Sequence, residues 1–501
     1  MRPHIRLAIL PLLLLASACG DGSPTEGGGS PTEPVGSGPS IRLIQGGSIA
    51  DTIHAQLFQT LIVEVLDSAG APLRYARVRF DGSYGREQAR REEMVVGVCS
   101  APPAPCYADL SHNIAFDTTD SRGRAEARVE LGTVAGTGQV YVTVAALALR
   151  DSFPVTVRPG APAALRAGVR DSTAFVGGSY AIRAATYDRY GNPTPPRNPI
   201  THTGFGSAAT VDAGGVFRAE QIGRAGAVLR SGALADTAWI TVPPRGVIAA
   251  LQGGYGNESL VKVELDGSGL RPLHRLGYAG YYGSWPDWSR TGEIVLETGG
   301  YSSERLLVVD TLGNSRRVTA EGSPTSGEIF GAFMPDGAVL FSANGGSFYG
   351  TSIWRVAAPG QLPVRVGPTP HGNANNWKVS PAPDGERVVY MSVDRGMSVM
   401  NLRDGSTTTL RSTGDMPRWS PRGDWIVFNM GSSLQLIRPD GTGLRAVGTG
   451  HPNGAGPDWS PDGEWLIAGA EGGRLELIRV ATGETLPLAW SQRFSAPAWK
   501  P

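Results

Sequence analysis

Apolar and polar residues alternate in short runs along most of the chain. Between Ile41 and Arg158, TLIVEVLDSAGAPLRYARVRF places apolar side chains at every second position on both sides of a Gly and Pro turn. That is the pattern of a half-buried strand, a hairpin and a second strand. TTDSRGRAEARVEL and QVYVTVAALALRDSFPVTV repeat it, and the stretch from Ala161 to Pro244 does so again with ATYDRYGNPTPP, VDAGGVFRAE and AWITVPP. Short strands broken by turn residues at this spacing predict two-sheet sandwiches, one over residues 41–158 and one over 159–245.

From Gly246 the pattern becomes periodic. PDWSPDGEW at 457–465 is a near-copy of PRWSPRGDW at 417–425, and relatives occur as PDWSRTGEIVLE, GAFMPDGAVLFS, WKVSPAPDGERVVYMS and a terminal PAWKP. Aligning Trp288, Phe333, Val379, Trp419, Trp459 and Trp499 gives separations of 45, 46, 40, 40 and 40 residues. A strand-rich repeat of about 40–45 residues predicts four-stranded propeller blades. The aromatic residue is then a buried strand position, Pro-Asp-Gly the tight turn, and WIVFN or WLIAG the strand that follows. LDGSGLRPL and RPDGTGLRAV, with weaker copies LRDGSTTTL and VATGETLPL, read as an outer hairpin turn in each blade. GVIAAL matches the strand after the Pro-Asp-Gly turn and PAWKP the strand before it. The two ends therefore complete one shared blade and close a six-bladed ring over residues 246–501. The fold class expected is all-β, two sandwiches followed by a propeller.

These motifs carry two resemblances. The sandwich turns D-S-A-G-A-P and T-D-S-R-G-R-A, with the closing V-T-V before Pro159 and Gly160, resemble bacterial immunoglobulin-like repeats of the intimin and invasin type. In those families such domains are spacers or adhesive modules. The Pro-Asp repeat half resembles the C-terminal propeller of the TolB family and its WD40-like relatives, which implies architecture more than activity.

Composition supports a folded, turn-rich chain: 69 glycines and 38 prolines stand beside 41% apolar residues. Basic and acidic residues balance at 45 each, so there is no overall field to attract nucleic acid, and no nucleic-acid partner is expected. At the N-terminus two arginines precede an apolar run from Leu7 to Leu15, too short to span a bilayer but suited to a secretory signal. Ala16, Ser17 and Ala18 before Cys19 resemble the lipobox of bacterial lipoproteins. The resemblance implies cleavage before Cys19, a lipid on its sulfur and, with Gly20 following, an anchor at the outer membrane, periplasmic or surface-facing. Residues 1–19 are thus read as signal peptide and lipobox, and the Gly, Ser, Thr and Pro run at 20–40 as a flexible tether. The remaining cysteines, Cys99 and Cys106 in CSAPPAPC, are expected to form a disulfide, which an exported compartment permits; a metal site would need further ligands nearby.

If Pro-Asp-Gly turns lie on one face of the ring, the loops before each Trp lie on the other, at the mouth of the channel. Those loops concentrate Tyr281, Tyr282 and Trp285, then His371, Asn373 and Asn376, then His451, with Tyr278 and Asn375 beside them. Aromatic faces next to amides and imidazoles suit a sugar ring or a peptide backbone. The expected partner is an envelope protein or glycan, peptidoglycan-associated or at the surface. The chain has no Gly-x-Ser-x-Gly elbow, no Walker A loop, no His-Glu-x-x-His and no Cys-x-x-Cys pair. No catalytic residue, cofactor or metal is therefore assigned. The alternative is a metal-dependent hydrolase or lyase at the same mouth, with Glu328 joining His371 or His451 as ligands.

Overall fold

The computed structural model describes residues 38–47, 49–53, 59–83, 96–100, 114–253, 257–277, 285–299, 304–345, 350–367, 375–449, 456–470, 473–491 and 494–501. Among them the regular structure is all strand, apart from a single three-residue 3-10 turn at Ala145–Leu147.

The first compact unit ends at Pro159 and is a sandwich of a four-stranded and a five-stranded sheet. Alternation gives it a core. In Arg124–Leu131, Ala125, Ala127, Val129 and Leu131 point inward beside Val63 and Val65 of the neighbouring strand and meet Phe80 and Val142 from the facing sheet. The hairpin expected around D-S-A-G-A-P is corrected. Gln59–Leu66 lies in the four-stranded sheet and Arg77–Gly82 in the five-stranded one, so the turn carries the chain between sheets. The Asp67 carboxylate accepts the Ala69 and Ala71 N–H groups at 2.9 Å and makes the turn. The Thr119 hydroxyl then pins the crossing segment, donating to the Leu73 carbonyl at 2.7 Å and accepting from the Ala76 N–H at 2.8 Å.

The second unit, Gly160–Pro501, holds a sandwich and the ring. The sandwich strands run from Ala164 to Val242 in three small sheets around Leu165, Phe217, Leu229 and Ile240. Phe175 extends from it onto the apolar core beneath Trp499 and Trp465, with the Arg245 guanidinium 5.2 Å over its ring.

The ring has six four-stranded blades. From the centre outward, blade 1 is Asp287–Trp288, Ile294–Thr298, Arg305–Val309 and Ser315–Arg317. Blade 2 is Thr325–Phe333, Val339–Gly345, Thr351–Val356 and Val364–Arg365. Blade 3 is Asn376–Pro381, Arg387–Ser392, Gly396–Asn401 and Thr407–Arg411. Blade 4 is Asp415–Trp419, Ile426–Met430, Ser433–Ile437 and Arg445–Thr449. Blade 5 is Asp458–Trp459, Trp465–Ala470, Arg474–Arg479 and Thr485–Leu488. Blade 6 takes its inner strand, Phe494–Trp499, from the chain end and pairs it with Val247–Gln252, Glu258–Glu264 and Arg271–Gly277. The two ends thus close the ring as the repeat predicts.

Each pair of neighbouring blades shares its own core, and an inner-strand aromatic enters five of the six: Trp288, Phe333, Trp419, Trp459 and Trp499. The serine after three of these tryptophans caps the turn. The hydroxyls of Ser289, Ser420 and Ser460 accept the N–H groups of Glu293, Trp425 and Trp465 at 2.8, 3.2 and 2.9 Å. In blade 3 the alignment is corrected. Pro381, not Val379, stands opposite Val388 as Trp419 stands opposite Ile426, and the turn that follows starts at Ala382 as the others start at Ser420 or Met334. The extra proline in SPAPDG imitates the motif two residues early. Two residues is one strand period, so Val379 still faces the core between blades 2 and 3.

Candidate functional site

Counting back from the corrected reference positions, the inner strands stack their residues in rings along the channel. One residue before lie Asp287, Ala332, Ser380, Arg418, Asp458 and Ala498. Two before lie Pro286, Gly331, Val379, Pro417, Pro457 and Pro497; three before lie Trp285, Phe330, Lys378, Met416, Gly456 and Ala496. The third ring is conformationally distinctive: Phe330, Lys378, Met416 and Ala496 have φ of 54°, 56°, 50° and 46°. Each sits where the register of its strand slips. A left-handed backbone at a non-glycine residue costs on the order of 1–2 kcal/mol. Four bulges at one level re-aim the inner strands just where they reach the mouth.

The middle of the channel is closed by charge. Arg418 of blade 4 reaches across to Asp287 of blade 1, the blade opposite, with Nη1 2.8 Å from Oδ1; each side chain is 17% exposed. Asp287 Oδ2 accepts the Phe333 N–H and Asp458 Oδ2 the Trp499 N–H, both at 2.7 Å. Burial pushes the Asp287 carboxyl up, against the pull of Arg418. Burial also raises Asp458 to about 6, with Arg418 pulling down and Asp287 pushing up. Burial works against the Arg418 charge, yet the two carboxylates hold its pKa above the ordinary value.

Arg418 separates two cavities. Below it, at the Pro-Asp-Gly end, a cavity of about 200 Å³ opens between prolines, with Asp287, Arg418 and Asp458 at its floor. Above it a cavity of about 30 Å³ is lined by the second and third rings, from Trp285, Pro286 and Phe330 round to Gly456, Pro457 and Pro497. Trp285, Trp377, Ile329, Phe330 and Met416 form an apolar collar at this end. Lys378 stands within it, Nζ 2.6 and 2.7 Å from the Asp415 carboxylate oxygens and 5.7 and 5.8 Å from the Phe330 and Trp377 ring centres. The Phe330 N–H donates to Glu297 Oε1. Burial lifts that glutamate to about 8, and Glu304 adds to the rise while Phe330 and Lys378 oppose it.

Of the residues expected at this mouth, Trp285 lines the upper cavity. Asn376 is buried and turned to structure: its amide donates to the Thr351 carbonyl at 3.4 Å and its backbone N–H to the Thr351 hydroxyl at 3.1 Å. Asn375 likewise accepts the Thr351 N–H at 3.0 Å. Glu328 is buried with both oxygens engaged, Oε1 by the Thr319 and Thr325 hydroxyls at 2.6 and 3.0 Å and Oε2 by the Leu306 N–H at 3.3 Å. It staples blade 2 to blade 1. Tyr278, Tyr281, Tyr282, His371, Asn373 and His451 lie outside the described residues, as do Cys19 and Cys106. Cys99 is disulfide-bonded. Lys378, Arg418, Phe330 and Met416 were not singled out from the sequence; their signal is that the six copies disagree at one and three residues before the shared position.

The fold and channel define a six-bladed β-propeller that follows two β-sandwiches in the chain. No family model matches the chain, and no curated protein matches it. Among solved structures, TolB from Acinetobacter baumannii is 16% identical over 60% of this chain and 83% of its own, with a TM-score of 0.43. A gluconolactonase from Xanthomonas campestris is 13% identical over 46% and 82%, with a TM-score of 0.36. An oligogalacturonate lyase in complex with manganese is 16% identical over 49% and 72%, with a TM-score of 0.29. At these values the likeness carries nothing about the activity of this chain.

Proposed function

We propose that the protein is an exported cell-envelope binding protein, anchored at the outer membrane by a lipid on Cys19. Its propeller recognises a protein or glycan partner at the upper mouth, and the two sandwiches, of immunoglobulin-like type, act as stalk or adhesion modules. The size and closure of the upper cavity carry this reading. The described residues enclose about 30 Å³ there, against roughly 300–1,000 Å³ for sites that engulf a small molecule. The Arg418–Asp287 pair stops anything from threading further. A cavity of that size under an aromatic and proline rim favours a large partner laid across the mouth over a small substrate held inside. The signal-like stretch at Leu7 to Leu15 followed by Ala-Ser-Ala-Cys supports the anchor.

The test is capture of partners from solubilised envelope by the full chain, in parallel with a folded Trp285→Ala variant. A partner held by the native chain and lost by the variant supports the reading; equal capture by both moves recognition away from this mouth. Hydrolase or lyase turnover that depends on added metal would replace it with the enzyme alternative. Labelling with radioactive palmitate, lost in Cys19→Ala, checks the anchor.

A further inference from the structure

We propose that the upper cavity is a carboxylate receptor, which takes the side chain of an Asp or Glu, or the chain-terminal carboxylate, of a partner polypeptide. The inference deepens the binding reading above and rests on it. Among the described residues, the charged groups that line the cavity are Lys378 and Arg418, both cations. Their carboxylate partners, Asp415 and Asp287, are not among the lining residues. The lining therefore presents cationic N–H donors, while the carboxylates that balance them lie behind it.

Hydrogen-bonding capacity points the same way. Lys378 has three N–H bonds and meets a single carboxylate, so at least one remains. Arg418 has five and spends two, on Asp287 and on the Pro286 carbonyl. The Trp285 indole N–H, which can only donate, is buried and has no partner among the described residues. A buried donor without an acceptor is unfavourable, and a ligand oxygen relieves it. Four of the six residues in the second ring are prolines, which have no N–H, so the wall is poor in backbone donors and its side chains supply most of them. Cationic and neutral side-chain donors around a small space favour an anion with two oxygens.

Volume selects the source. About 30 Å³ admits a carboxylate head but not a sugar ring. A uronic acid would have to bring its carboxylate in while the ring stayed outside. An acidic side chain arrives on a methylene stem, which the apolar collar of Phe330, Met416 and Trp285 can cover. The observations thus favour a peptide over an acidic glycan.

The test selects short random peptides on the immobilised full chain, then compares each selected peptide with its amide counterpart (Glu→Gln, Asp→Asn or an amidated end) by calorimetry. The expected result is that selected peptides carry an essential carboxylate and that the amide lowers affinity about tenfold or more. Trp285→Phe, which removes the indole donor, should weaken the acidic peptide by more than its amide counterpart, because the bond to a charged acceptor is the stronger; Lys378→Gln should widen that difference further and Lys378→Arg restore most of the loss. Should Lys378→Gln fail to fold, the Trp285→Phe comparison stands alone. Acid and amide peptides bound within twofold of one another, or variants that weaken both equally, overturn the carboxylate receptor and leave partner binding standing. Binding of oligogalacturonate and of no peptide overturns the polypeptide assignment alone. Binding of neither overturns the inference, and failure to capture an envelope partner would then remove the binding reading as well.

Discussion

Asp458→Asn should stabilise the propeller, and by an amount that depends on pH. Asp458 closes the inner edge of blade 5 onto blade 6 through the Trp499 N–H at 2.7 Å, a bond that an asparagine oxygen can also accept. What asparagine removes is the charge. Burial raises this carboxyl from its ordinary value of 3.8 to about 6. Because the folded pKa is raised, the folded chain holds the proton more tightly than the unfolded chain. Its contribution is fully present below about pH 4 and is lost as pH rises through 6. A rise of roughly two units corresponds to about 3 kcal/mol. Wild type and Asp458→Asn should therefore differ little at pH 4, and the variant should lead by up to about 3 kcal/mol at pH 8, nearly all of it gained between pH 4 and 7. Guanidinium unfolding followed by tryptophan fluorescence reports on the ring, since ten of the 11 tryptophans lie in residues 285–499. A gap that stays constant with pH, or one that favours the wild type as pH rises, would refute the reasoning.

Arg418→Met leaves Asp287 and Asp458 facing each other without their cation, and should cost about 3–5 kcal/mol near pH 8. The cost should shrink towards pH 5 as both carboxyls take up protons, which the same titrations would read. Glu297→Gln keeps an acceptor for the Phe330 N–H but does not titrate. Since the wild-type pKa is raised from 4.5 to about 8, wild type loses stability as pH rises between those values, and the variant should melt at a similar temperature at pH 5 and a higher one at pH 9. Trp499→Ala empties a site that is 4% exposed in the closing strand. A loss of about 3–5 kcal/mol is expected, with faster proteolysis near the chain end as the measurement that links it to ring opening.

The blade period was legible because packing imposes it: each gap between blades is the same shape and takes the same kind of residue. Closure by the two chain ends was legible for the same reason. Errors arose where a local pattern is compatible with two arrangements. Alternation around D-S-A-G-A-P reads identically whether the second strand pairs with the first or crosses to the facing sheet, and it is Thr119, 46 residues beyond Leu73, that decides. In blade 3, Val379 and Pro381 share parity, so the substitution of one for the other hid within a correct strand. The site was harder still. Trp285 was found as an aromatic before a motif, but Lys378 and Arg418 acquire meaning only when blades 3, 4 and 1 are brought round the channel.

Why the channel is polar at its middle follows from the ring itself. An inner strand has a neighbour on one side only, so half of its backbone groups face the channel and need partners from elsewhere. Alternate blades meet that need in one way: Asp287, Ser380 and Asp458 each reach to the next blade and accept the N–H of Phe333, Trp419 and Trp499. The same level in blades 2, 4 and 6 carries Ala332, Arg418 and Ala498, where no such bond is made and the side chain is free of that structural duty. Blade 4 is the one opposite blade 1, so an arginine placed there is the one able to meet Asp287 across the diameter. Two acceptors required by strand edges thus supply the negative charge that holds Arg418 in mid-channel. Arg418 in turn converts a through-passage into two blind cavities and gives the upper one its cationic floor.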